Sequence, residues 1–267
     1  LTLTNNITLT SDEALSFVFV TLNLNNFTLT LGSSTSDLTV ENSITIDAST
    51  EGILTGGADL LLSALTLSAG DVTSTGGAIS FQGGGQLSGT GKLDVSGSTW
   101  TLGGDFEKSS GTLTTTETTN LALSASSTLT SDVSLNFENL NLNDFTLTLG
   151  SLTSDLTVEN AITIDSSGEG ILTGEADLIL LSSLNMSQGL LGSTGGTWEF
   201  SGDFNKSIGT ISISETDLTL RESITLTSDE ALGFVTLNLN DFKLTLGSST
   251  SDLTVTNAIT IDASTEG

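Results

Sequence analysis

The feature that most constrains this chain is long-range self-similarity. The segment LTSDEALSFVFVTLNLNNFTLTLGSSTSDLTVENSITIDASTEG at 9–52 returns as LTSDEALGFVTLNLNDFKLTLGSSTSDLTVTNAITIDASTEG at 226–267. With two residues gapped, 37 of the 42 aligned positions are identical. A third copy, LTSDVSLNFENLNLNDFTLTLGSLTSDLTVENAITIDSSGEG, fills 129–170. Starts at Leu9, Leu129 and Leu226 define units of 120 (129 − 9) and 97 (226 − 129) residues. Repetition on this scale points to an array or solenoid rather than a domain with a single folding solution.

The second half of each unit also recurs, as STWTLGGDFEKSSGTL at 98–113 and GTWEFSGDFNKSIGTI at 196–211. From Ile53 to Trp100 is 47 residues, and from Ile171 to Trp198 is 27, a difference of 20. Gaining or losing one whole coil of a solenoid leaves the stacking on either side intact. The local pattern agrees: LTLT, ITLT, FTLTL, DLTV, ITID and DLTL alternate apolar and small polar residues with period two, and no window carries a helical stripe. The alternation slips at short polar corners, as in LTLT-NN-ITLT, LNL-NN-FTLTL and DLTV-ENS-ITID. Each slip re-aims the next strand, so three sides make a coil of about 20 residues. Coils stacked about 4.8 Å apart would give thirteen or so layers and a rod on the order of 60 Å long. The expected fold is an all-β parallel β-solenoid. The runner-up is a tandem array of immunoglobulin-like β-sandwiches, whose domains have similar lengths. The expected organisation is 1–8 as the end of a preceding repeat, 9–128 as unit A, 129–225 as unit B one coil shorter, and 226–267 as the start of a further unit A, all in one continuous solenoid.

Composition narrows the function. Five Lys plus Arg stand against 32 Asp plus Glu, a formal charge of −27. Binding to nucleic acid or anionic lipid needs clustered cations, so neither partner is expected. No run approaches the roughly 20 apolar residues of a membrane span. The chain has no Cys, Pro, His or Tyr. Thiolate chemistry and a Ser–His–Asp system are thereby excluded. No secretion signal opens the chain at Leu1, and neither end has the look of a capping repeat, so an interior window of a longer array is expected.

The LTL, NLNL and ITLT strings, the Gly-rich corners and the Ser/Thr/Asn-rich faces resemble bacterial filamentous-haemagglutinin-like adhesins and autotransporter passengers. The resemblance implies a right-handed β-helix, secretion to the extracellular space or cell surface of a prokaryote, and a role in adhesion, surface coating or filament formation. Its departures are the acidity and the high identity between units.

The sequence offers few groups suited to catalysis. Asp105 and Glu107 form the nearest carboxylate pair for glycoside hydrolysis, but Glu107 becomes Asn205 in the equivalent GDFN segment. Lys108 and Lys206 occupy equivalent places, which marks a structural position rather than a unique active site. Asp12, Asp37, Asp47, Asp155 and Asp165 sit beside Ser, Thr or Gly at expected corners, where carboxylates cap backbone amides. Weak collective binding of Ca or Mg stays open. Outward Thr-x-Thr strings raise ice binding, for which a flat Thr face along consecutive coils would be diagnostic. Trp100 and Trp198 are expected in the core rather than displayed for sugar stacking. The chain therefore reads as a non-enzymatic structural rod or filament segment with no catalytic, cofactor or metal residues, associating with its own copies or continuing in an array, with surface glycans as possible ligands. A carbohydrate- or ice-binding adhesin module is the alternative, and a glycan-cleaving β-helix the remote one.

Overall fold

The computed structural model describes residues 1–10, 17–46, 48–49, 51–116 and 118–261. Every strand pairing within the two compact units, Leu1–Asp132 and Val133–Gly267, is parallel. The chain is a β-solenoid of about 12 turns with about 21 residues per turn, and no helix occurs among the described residues. Immunoglobulin-like sandwiches are set aside, because their sheets are built from antiparallel strands.

In the first unit each turn has three sides. One turn runs through Leu60–Leu62, Leu65–Leu67 and Asp71–Ser74, the next through Ile79–Phe81, Gly85–Leu87 and Lys92–Asp94, and the next through Thr99–Leu102, Phe106–Lys108 and Thr112–Thr114. Period-two alternation sends every second residue inward, and in-register pairing stacks those residues into ladders. Leu38, Leu60, Ile79, Trp100 and Leu121 form one such ladder, each fully or almost fully buried. Phe106 is admitted because the turn before it carries Gly85, where an added Cβ would lie 3.0 Å from the ring. There Trp100 meets Phe106 edge-on at 4.9 Å, and Phe81 stacks on Phe106 at 5.9 Å.

The second unit repeats this scheme with one turn fewer between equivalent points. Two turns separate the Gly52–Gly56 strand from Trp100, whereas only Leu178–Leu180, Leu184–Met186 and Leu190–Ser193 separate Gly170–Leu172 from Trp198. The ENS and ENA corners bend a strand without ending it. Leu156–Ile164 is one strand whose first part pairs with Leu178–Leu180 and whose last part pairs with Leu184–Met186.

Homologous strands of this unit land on different sides. Leu135–Phe137 heads the column that continues through Leu156, Leu178, Trp198 and Leu218. In the equivalent strand Leu232–Asn238, it is Leu237 and Asn238, not Leu232, that pair with Leu218 and Thr219. From Leu135 to Leu232 the repeat is not a whole number of turns, and these two copies start one side apart.

Candidate functional site

The polar residues concentrate at corners, and their roles follow from the amides each corner leaves without a strand partner. In Asn-Leu-Asn-Asn/Asp-Phe, three copies fold alike. The central pairs Asn25–Asn26, Asn143–Asp144 and Asn240–Asp241 all have positive φ, between 45° and 70°. The following Phe amide donates to the Leu carbonyl before the pair, Phe145 to Leu142 at 2.9 Å and Phe242 to Leu239 at 2.8 Å. Asn and Asp tolerate this left-handed geometry better than other side-chain-bearing residues. The first Asn of the motif accepts the amide two residues on: Asn23 from Asn25, Asn141 from Asn143 and Asn238 from Asn240, at 3.0–3.2 Å. Asn25 and Asn240 then donate from Nδ2 to the carbonyls of Leu3 and Leu220, one turn earlier.

Two acids lock this corner from the following turn. Glu51 is 7% exposed and accepts the Asn26 amide at 2.7 Å. Glu169, also 7% exposed, accepts the amides of Asp165 at 2.7 Å, Ser166 at 3.2 Å and Asp144 at 3.4 Å. Three donors on one carboxylate account for its burial without a metal or a cationic side chain.

A second set of acids links turn to turn. Asp37, Asp59, Asp105, Asp155, Asp177, Asp203 and Asp217 each accept, through Oδ1, the amide of a residue at or just before the equivalent strand one turn on, at 2.6–3.0 Å. The sequence signal is an Asp immediately before the first inward apolar residue, as in Asp37-Leu38, Asp59-Leu60 and Asp203-Phe204. Asp105 is thus a stacking residue, while Glu107 faces solvent beside it. Asp165 differs from this set, its own amide being held by Glu169. Asp12 and Asp47 lie outside the described residues. Burial pushes the Asp177 carboxyl above the usual carboxylate range, and the charges of Asp155 and Glu199 add to the effect. Among the described residues no group of three or more acids is placed to hold a metal ion.

The two equivalent lysines are the unexpected polar members of the core. Lys108 and Lys206 are each 3% exposed. Each follows apolar residues in an inward row: Ile46, Leu67 and Leu87 precede Lys108, which the buried Ser131 follows, and Ile164 and Met186 precede Lys206. Lys108 pairs with Asp132, and Lys206 pairs with Asp229 and, at 3.2 Å, with Glu230. The hydrogen bond from Lys206 holds the Asp229 carboxyl below its ordinary range. Sequence equivalence marked these lysines as structural; their burial was not visible because an F-x-K string also fits a strand with Lys outward.

The outward rows are mixed. In the first unit one row reads Thr30, Leu54, Thr73, Asp94, Thr114, and in the second another reads Thr148, Leu172, Gly192, Ser212. Among the described residues of each unit no row carries Thr on more than two consecutive turns, which is short of the flat Thr face diagnostic of ice binding. Trp100 and Trp198 are fully buried, and no aromatic side chain is among the exposed large hydrophobic residues. A shallow apolar groove over Leu172, Leu190 and Gly192 has no charged residue in its lining. Among the described residues no helix is long and apolar enough to cross a membrane.

No family model, curated protein or solved structure matches the chain.

Proposed function

We propose that this chain is a structural, non-catalytic segment of a large repetitive protein of the prokaryotic cell surface or extracellular matrix, continuing in a longer array or associating with its own copies. The observation that carries the reading is the use made of the carboxylates. Seven Asp and two Glu have their oxygens directed at backbone amides of neighbouring turns or corners. Such groups hold layers together, which is a structural use of a carboxylate. Twelve or so near-equivalent turns, one of which is present or absent between copies, suit a protein whose useful property is extent. The remaining charge favours solubility in saline water, where repulsion between copies is screened within about 10 Å.

Antibody labelling of intact source cells, with negative-stain imaging of the labelled material, tests this. The expected result is label on extended extracellular material without permeabilisation. Label appearing only after lysis, or purified chain that degrades a polysaccharide at a rate abolished by substituting its acids, would overturn it.

A further inference from the structure

The buried lysines sit where one repeat hands over to the next. Lys108 belongs to GDFEKS and Lys206 to GDFNKS, and the acids they meet one turn later, Asp132 and Asp229, are the fourth residues of the LTSD strings that open units at Leu129 and Leu226. The other described cations, Lys92, Arg221 and Lys243, lie at the surface. The inward rows leading to each pair are mostly Leu, Ile, Phe and Met, with Gly85 in one of them and the buried Ser131 directly after Lys108. Such rows say little about which turn follows which, and skipping a turn costs them little. A buried cation is different, since it is tolerated only where a carboxylate waits. Single buried polar groups are best attested as devices that fix register, at some cost in stability.

We propose that the lysine of GDFxKS and the aspartate of LTSD form a register clip, which fixes the turn on which each new repeat begins. If the LTSD turn is displaced by one layer, Lys206 loses both Asp229 and Glu230. The clip selects against misstacked arrays rather than strengthening the correct one. Glu230 reinforces it at the second junction, where its Oε1 also accepts the Ile211 amide at 3.3 Å.

The chain has no cysteine, so a cross-link can report register cleanly. Asn205 and Thr227 are in-register partners on adjacent turns. In N205C/T227C, refolding from denaturant followed by mild oxidation should join nearly all molecules when Lys206 is present. Adding K206M, the residue type found one turn earlier at Met186, should leave the melting temperature unchanged or raised while the cross-linked fraction falls several-fold. The companion D229N/E230Q variant keeps the buried cation without its acids and should melt lower than K206M. Equal cross-linking yields with Lys and Met at position 206 would overturn the proposal. So would a K206M protein that fails to fold, or melts as low as D229N/E230Q, because the lysine would then be an ordinary stabilising contact.

Discussion

The left-handed corners give the most direct test of how the repeat motif specifies the turn. At Asn240 and Asp241, φ is 45° and 70°, so an alanine at either place costs about 1–2 kcal/mol. Asn240 also donates from Nδ2 to the Leu220 carbonyl at 3.0 Å, a bond with a net value of about 1 kcal/mol. Asn240→Ala should therefore cost about 2–3 kcal/mol. Asn240→Gly keeps the geometry without strain and loses only the bond, about 1 kcal/mol. Asp241→Gly should be close to neutral, and Asp241→Ala should cost about 1 kcal/mol. Solenoid turns interact chiefly with their neighbours, so a single global melting point blurs a local change. Hydrogen exchange of the Phe242 amide, which closes the corner onto the Leu239 carbonyl at 2.8 Å, reads the local opening instead. At tenfold per 1.4 kcal/mol, Asn240→Ala should exchange roughly thirtyfold or more faster than the parent, and Asn240→Gly only about fivefold faster. If the glycine and alanine variants exchange equally fast, the backbone argument is wrong and the Asn side chain acts through its hydrogen bond alone.

Glu169→Gln replaces a carboxylate oxygen by an NH₂ group facing amides that are themselves donors, so it should destabilise the second unit by on the order of 2 kcal/mol, measured by denaturant titration with the probe in that unit. Asp177 has a raised folded-state pKa, so its charge opposes folding at neutral pH and the folded state takes up its proton first as pH falls. Asp177→Asn, whose Oδ1 can still accept the Thr197 amide, should be neutral or stabilising at pH 7, with the difference shrinking as pH falls through that pKa in paired melting curves. Asp229 has the opposite sign: its lowered pKa contributes stability that is present above the ordinary carboxylate value and lost as pH drops below it, so Asp229→Asn should flatten the acid limb of the stability profile. Deleting Ala78–Ser98, 21 residues or one turn, joins Gly77 to Thr99 and recreates the STGGTW junction of 193–198. That variant should fold with an unchanged far-ultraviolet spectrum per residue, whereas a ten-residue deletion from the same point should not.

Much of this fold was legible because period and repeat spoke together. Alternation in LTLT and DLTV marked the inward face, and the length difference between the two Ile-to-Trp stretches matched a missing layer. Asp37 and Asp155 were legible as corner residues that accept backbone amides, but not as links between turns: the sequence pointed to nearby amides, whereas each accepts the amide of a residue 22 positions on. Glu51 and Glu169 were not legible, because the amides they accept include those of Asn26 and Asp144, a full turn away in sequence. The lysines were half legible: equivalence identified them as structural, but only the register of the rows shows that they point inward.

The side on which each copy begins was illegible for a different reason. Homology places a repeat boundary by residue, but the solenoid places a strand by how many sides came before it. A unit of 97 residues is about four and two-thirds turns at about 21 residues each, so the next copy starts one side out of step. The ENA corner conceals this, because LTVENAITI looks like a single strand and is one, yet it covers two sides. The identity between copies therefore cannot serve to build one continuous chemical face, since equal sequences point in different directions. What equal sequences do preserve at any orientation is the contact each turn makes with its neighbour, through the Asp ladder, the Asn corner and the lysine clip. Conserving those contacts while the faces rotate is what a chain requires if stacking, rather than a particular surface, is the property being repeated.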